Sequence, residues 1–306
     1  MSDRFFKGYW MITNKCNLSC SYCILENHPN QLRRELDLSH KKALLSHLYE
    51  QMNFRSLTLS GGEVLLIGKK PPSDFIALLE HARQYKSANP KDNLKIEVYT
   101  NATYFNDDVA AAMAGVVDQV AVTVDSISES VLLSIGRRHR GGKKYIDNIV
   151  RVINKLTELG ISVKLHSVVS TKNIGVLAQE VAEILDVVVA HSGNIDAWKF
   201  YQYMSYDAPE VDKEHTISQS KYQAFCKQAK EVLADYPIQL HFKDNQEMNA
   251  SLFNILSYGN AQYMVDGDSW SSSRRTKDLR EYGSMQTLFD ETEIDAERFC
   301  QFHEMK

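Results

Sequence analysis

Two hydrophobic periods alternate along this chain: apolar residues recur at every second position in short stretches, and at spacings of three and four in the longer stretches between them. The alternating stretches are Tyr9 to Thr13, Ser56 to Ser60, Lys95 to Thr100, Gln119 to Asp125, Ser162 to Val169 and Ala197 to Met204, which predicts six strands. Helical spacing predicts helices over Ser39 to Met52, Ser73 to Tyr85, Asp107 to Ala114, Lys144 to Leu159 and Val176 to Val188. Strand and helix alternate, the order of an α/β fold with a parallel sheet and right-handed crossovers.

A parallel sheet sandwiched between helix layers needs two apolar faces, and these strands offer one. Ile161, Val163 and Leu165 share one face of their strand, while Ser162, Lys164 and His166 share the other. Lys95, Glu97, Tyr99 and Asn101 group in the same way, as do Ser56, Thr58 and Ser60. A polar face turned inward predicts a partly closed barrel with a wet, occupied lumen. Ligands in such folds sit at the C-terminal strand ends, where Ser60, Asn101, Asp125 and Ser167 fall. After Gln202 the pattern changes to a helix from Ser218 to Ala234, a short strand near Gln239 to Phe242, and a polar, Ser-rich stretch around Gly267 to Arg275 that reads as a mobile loop. The expected division is a barrel core, residues 1–205, and a C-terminal extension, residues 206–306, packing on the barrel mouth.

The 306 residues, 43% of them hydrophobic, suffice for a large core. With 35 basic residues against 39 acidic ones the net charge is -4, so no overall field attracts nucleic acid or an anionic membrane, and neither is expected as a partner. Met1 to Lys7 is polar, and the apolar run from Tyr9 to Thr13 is too short for a signal peptide. No stretch approaches the roughly 20 apolar residues of a membrane span. The expected location is the cytoplasm. Three of the five cysteines, Cys16, Cys20 and Cys23, crowd into one short segment where mutual disulfides would strand an odd thiol.

Metal binding explains that crowding. Thiolates bind soft metals, and a four-iron cluster needs four ligands. Three from the protein leave one iron open to a chelating substrate, as a catalytic zinc keeps an open position. The alternative is a structural zinc with His28 as fourth ligand, although such ligands usually come as two pairs on a small module. Cys226 and Cys300 stand alone and read as ordinary thiols. The second predicted strand ends in Ser60-Gly61-Gly62-Glu63, where two glycines expose backbone at close range and a carboxylate can accept from an ammonium.

The triplet, with Tyr22 directly before its last cysteine, resembles the signature of the radical S-adenosylmethionine (SAM) superfamily. The resemblance implies a partial (β/α)6 parallel barrel, a [4Fe–4S] cluster on Cys16, Cys20 and Cys23, SAM as second cofactor, and an external electron donor such as flavodoxin or ferredoxin. It also implies that Gly61, Gly62 and Glu63 hold the SAM amino group, though this chain continues with Val64 where members usually have proline. Thr123 and Arg137 are then expected at the SAM carboxylate, with Tyr22, Ser60, Asn101 and Ser167 lining the pocket.

Further segments resemble one branch of that superfamily, viperin and its prokaryotic relatives. They are Val124-Asp125-Ser126 with Ile135-Gly136-Arg137 and Gly142-Lys143-Lys144, then Val163 to Val169, Trp198 to Gln202, and Asn245-Gln246-Glu247-Met248. The implied function is a lyase-type dehydration of CTP, UTP or GTP to the 3′-deoxy-3′,4′-didehydro nucleotide, serving antiviral defence. The resemblance places Lys164 and Lys199 at the triphosphate, with His166 beside them where the animal proteins carry asparagine. Charge logic reaches the two lysines independently: a lysine aimed into a barrel needs a partner, either a polyanionic ligand or an internal carboxylate such as Glu97 or Asp125. The chain departs from the branch at Ser56 and Ala197, where a lysine and an arginine are usual, and Arg55, Arg138, Arg140 or Lys144 are candidates to compensate. The proton-donating tyrosine of the branch falls at Leu252, which leaves Tyr258 and Tyr263 as candidate donors. Two other functions stay open: radical SAM chemistry on a peptide or small metabolite, and a non-catalytic, zinc-stabilised binding protein.

Overall fold

The computed structural model describes residues 4–27, 34–137, 142–265 and 272–305. Ten strands form one sheet: β1 Phe6–Thr13, β2 Phe54–Gly61, β3 Lys95–Thr100, β4 Gln119–Thr123, β5 Ser162–Val169, β6 Ala197–Gln202, β7 Gln239–Lys243, β8 Phe253–Ile255, β9 Asn260–Tyr263 and β10 Arg274–Asp278. From β1 to β7 the strands lie in chain order, and every neighbouring pair is parallel. Helices Leu38–Glu50, Ser73–Ala82, Asp107–Met113, Gly142–Glu158, Leu177–Ala190 and Gln219–Val232 fall in the crossovers. The result is the expected α/β architecture, a parallel, barrel-like sheet of successive βα units.

The expected strands Lys95 to Thr100 and Ser162 to Val169 match residue for residue. The one expected to reach Asp125 stops at Thr123, because Asp125 turns aside into an ion pair. Helix starts are fixed by side-chain caps: the Asp37 carboxylate accepts from the His40 amide at 2.9 Å, and the Asn106 side-chain oxygen from the Val109 amide at 3.0 Å. Each long helix presses an apolar stripe on the outer face of the sheet, such as Leu44, Leu45 and Leu48, or Val181, Ile184, Leu185 and Val188. Outer-face residues Leu57, Leu59, Val163, Leu165, Trp198 and Phe200 are correspondingly buried. Truncating one of these leucines to alanine costs roughly 2–5 kcal/mol. The core is thus a layer between sheet and helices, which leaves the inner strand face free to be polar.

The C-terminal third, expected to pack on the barrel mouth, contributes strands to the sheet itself. Its strands join both ends of the sheet: β7 extends the parallel run beyond β6, and β8 runs parallel to β1 through Tyr9↔Asn254 and Trp10↔Ile255. Strands β9 and β10 then fold back antiparallel. Strands of three and four residues, β8 and β9, carry too little periodicity to be read from sequence. Of the stretch read as a mobile loop, residues 266–271, with Trp270, lie outside the described residues, while Arg274 opens β10.

Candidate functional site

Strand β1 delivers the chain into a loop that carries Cys16, Cys20 and Cys23, the first exposed and the other two half-buried. Two glycines cradle this loop. A Cβ on Gly62 would meet the Lys15 carbonyl oxygen at 2.2 Å and the Cys16 Cβ at 3.0 Å; one on Gly136, whose φ is +76°, would meet the Ser19 carbonyl oxygen at 2.2 Å. Backbone bonds finish the attachment: the Ser21 amide donates to the Ile135 carbonyl at 2.9 Å, and the Glu63 amide to the Lys15 carbonyl at 2.7 Å. Burial pushes the Cys20 thiol up to about 12, so it keeps its proton until a metal displaces it. Among the described residues no three His, Cys, Asp or Glu side chains form a group able to hold one metal ion. A four-iron cluster asks for less convergence, since each thiolate binds its own iron, and the three thiols on their glycine cradle fit it. His28, the fourth ligand of the zinc alternative, lies outside the described residues.

Glu63 is fully buried, and its carboxylate accepts from Thr100 Oγ1 at 2.7 Å, from the Asn101 amide at 2.7 Å and from the Leu65 amide at 3.1 Å. Burial raises its pKa, and these bonds oppose the rise. With most of its acceptor sites occupied, the carboxylate ties the end of β2 to the end of β3 instead of waiting for an ammonium. That leaves the Gly61 and Gly62 backbone to meet a ligand. Asn101 Nδ2 donates to Asn17 Oδ1 at 2.9 Å, joining β3 to the cysteine loop. Ser60 is buried and bonded to the Tyr9 hydroxyl.

Arg137, expected at a ligand carboxylate, is 1% exposed and pairs with Asp125, while its Nη2 donates to the Thr123 carbonyl at 3.1 Å. The Tyr22 hydroxyl donates to the same Asp125, whose other oxygen accepts the Val168 amide at 2.8 Å. Burial first, then Asp125, holds Tyr22 well above the usual tyrosine range. Arg137 Nε is buried without a partner among the described residues. Ser167 corrects the sequence reading. Strand alternation puts it with Leu165 on the helix side, and its hydroxyl donates to the Val124 carbonyl and accepts Trp198 Nε1 at 2.8 Å, away from the lumen.

Lys164 and Lys199 lie on the inner face, as predicted. Of the two kinds of partner the sequence allows, the internal one is present: Lys164 pairs with Glu97, which also accepts Thr58 Oγ1 at 3.0 Å. Lys199 forms no ion pair among the described residues, because Glu97 is held by Lys164 and Glu247 by Lys243 at 2.8 Å. It lies over the Tyr201 ring, 5.0 Å from the centroid. Burial, then the neighbouring Lys243 and Lys164, pulls its pKa down to about 8. His166 is buried with Nε2 unpartnered among the described residues, its ring centroid 4.4 Å from that of Tyr99 and 5.3 Å from that of Tyr201. Burial and the two lysines hold it well below the usual histidine range, so it is neutral.

Sequence reasoning misses His241 and Lys243, which β7 sets beside Lys199 and Tyr201 in register. Their alternation around Phe242 was the available signal. Neither candidate proton donor lies on a strand neighbouring β5 or β6. Tyr263 lines a small cavity with Arg298 and Phe299 at the antiparallel edge, and Tyr258 lies between β8 and β9. The inward tyrosines are Tyr9, Tyr99 and Tyr201, which share the polar faces of β1, β3 and β6. Arg55 does not replace the missing lumenal cations: it donates to the Tyr49 carbonyl at 2.7 Å and lies over the Tyr49 ring. Arg138, Arg140 and the side chain of Lys144 lie outside the described residues.

Comparison with known proteins agrees with this geometry. The family model described as the radical SAM superfamily matches residues 10–188, well over half of the chain. The chain is 22% identical over 296 residues to the S-adenosylmethionine-dependent nucleotide dehydratase of Psychrobacter lutiphocae, a match spanning 95% of this chain and 92% of that protein. It is 29% identical over 155 residues to a protein of the same name from a Thermoplasmatales archaeon, spanning 51% of this chain and 49% of the other. Among solved structures, native anSMEcpe with bound AdoMet has a TM-score of 0.61 at 15% identity, over 97% of this chain and 82% of that one, a likeness of fold. No helix among the described residues is long and apolar enough to cross a membrane.

Proposed function

This chain belongs to the radical SAM superfamily, whose cofactors are a [4Fe–4S] cluster and SAM, and we propose that it dehydrates a nucleoside triphosphate, CTP, UTP or GTP, to the 3′-deoxy-3′,4′-didehydro analogue. The observation that carries this reading is the inward cation group: Lys164, Lys199 and Lys243 on three successive strands, β5, β6 and β7, with Lys199 lacking a carboxylate among the described residues. A polyphosphate is the ligand whose charge answers such a group. The relatives named nucleotide dehydratase support the same substrate class.

In this reading Cys16, Cys20 and Cys23 hold the cluster. When bound, the cluster and SAM would supply a 5′-deoxyadenosyl radical able to take the ribose 4′ hydrogen, and loss of the 3′ hydroxyl as water would then take up one proton and one electron from outside the nucleotide. The chain's own residues bind and orient. The Gly61-Gly62 backbone takes the SAM ammonium, Thr123 and Arg137 Nε meet its carboxylate, and Tyr22, Ser60 and Asn101 shape the pocket. Lys199, Lys164 and neutral His166 hold the phosphates so that the ribose faces the SAM site. A soluble electron donor such as flavodoxin or ferredoxin, a cytoplasmic location and an antiviral role complete the proposal, since the product lacks the hydroxyl that a polymerase extends.

The test offers anaerobically reconstituted protein CTP, UTP and GTP in turn. The expected result is a nucleotide-dependent rise in 5′-deoxyadenosine and, by mass spectrometry, a product lighter by one water. No rise with any triphosphate would overturn the reading. Turnover on a peptide or small metabolite that survives Lys199→Met would favour the other radical SAM function.

A further inference from the structure

The lumen contains an anion that an incoming polyphosphate has to contend with. Strands β3 and β5 are not neighbours; between them β4 sets the small Ala121 in register with both Tyr99 and Lys164. Across the space above that alanine, Lys164 reaches Glu97. Glu97 is anchored on its far side by Thr58, whose hydroxyl donates to Oε2 at 3.0 Å. The two side chains keep 12% and 19% exposure, while the Glu97 oxygen that meets Lys164 is itself buried.

A carboxylate at this place acts twice on a polyphosphate. It occupies a cation the phosphates would use, and it repels them at close range. We propose that Glu97 is a specificity-determining residue that competes with the substrate's phosphates for Lys164. The polyanion then binds at Lys199 and gains Lys164 only by displacing Glu97. This rests on the phosphate-binding reading of the lumen given above. The cost of displacement falls in full on an anion long enough to take Lys164, whereas an anion held at Lys199 alone avoids it, so Glu97 tempers the preference of the site for triphosphates over monophosphates.

The experiment is calorimetric titration of the anaerobic, cluster-loaded protein and its Glu97→Gln variant with inorganic tripolyphosphate and, separately, inorganic phosphate. Glutamine keeps the acceptor that Thr58 uses and removes the charge. Tripolyphosphate is expected to bind roughly tenfold tighter to the variant. The preference for tripolyphosphate over phosphate should widen, because only the longer anion had Glu97 to displace. In the Glu97→Gln, Lys164→Met double variant the gain should vanish. Unchanged or weaker binding in Glu97→Gln overturns the role of Glu97 and leaves the phosphate site standing. Tripolyphosphate binding to neither protein overturns both together. Thermal unfolding checks that the variant folds, and Glu97→Ala gives a second uncharged variant with the same expected sign.

Discussion

Two buried ion pairs serve this molecule differently. Arg137 and Asp125, beneath the cysteine loop, are 2% and 0% exposed, and both Asp125 oxygens are further engaged by Tyr22 and the Val168 amide. Lys164 and Glu97, in the lumen, keep 12% and 19% exposure, and the neighbouring Lys199 has no carboxylate of its own among the described residues. The charges are alike, but solvent access and completeness are not. A sealed pair holds its partners in one arrangement, because parting them leaves an uncompensated buried charge. A half-open pair beside an unpaired cation can exchange a protein carboxylate for a ligand anion. One pair fixes the cysteine loop in place, and the other stands where the proposed function brings a substrate.

The largest break in this contrast lies at the loop that the sealed pair supports. Cys20→Ala removes one of three thiolates, so iron and sulfide content of the anaerobic protein and its 5′-deoxyadenosine formation should both fall to background. Next in size is the sealed pair itself. Arg137→Met leaves Asp125 buried and unpaired, with an expected loss of about 3–5 kcal/mol in denaturant unfolding. Lys164→Met in the half-open lumen should cost under about 1 kcal/mol by the same measurement. Equal losses for the two variants would erase the distinction.

Much of this was legible beforehand. The polar alternation of Lys95, Glu97 and Tyr99 and of Ser162, Lys164 and His166 announced a lumen, because two-residue periodicity is a local property of the backbone. The cysteine triplet announced the loop for the same reason, while its cradle of Gly62 and Gly136 was not read as one. Pairings were not legible. Nothing local says that Lys164 reaches Glu97 across Ala121, or that Glu63 bonds to Thr100 and Asn101, since those contacts are set by strand order and register. Ser167 shows the opposite failure: resemblance placed it at the SAM pocket, whereas alternation within its own strand already put it on the helix side. The short strands β8 and β9 lay below the length at which a period can be recognised.

The smallest expected effect is a pH dependence that belongs to the half-open lumen alone. Burial, then Lys243 and Lys164, holds Lys199 at about 8, against the weaker favourable pull of Glu97 and Glu247. Below that pH the side chain is a cation and attracts phosphate; above it the charge and the attraction are lost. A bound anion favours the charged form, so binding above this pH draws a proton onto the lysine. Tripolyphosphate affinity should therefore fall as pH rises through the Lys199 pKa, by a few-fold to about tenfold. His166 and His241 are held below their ordinary range by burial and the lysines, so they stay neutral through this window and add no slope. Lys199→Arg keeps its charge at these pH values and should flatten the profile. A slope that persists in that variant would place the titrating group elsewhere and remove Lys199 as the open cation on which the contrast between the two pairs depends.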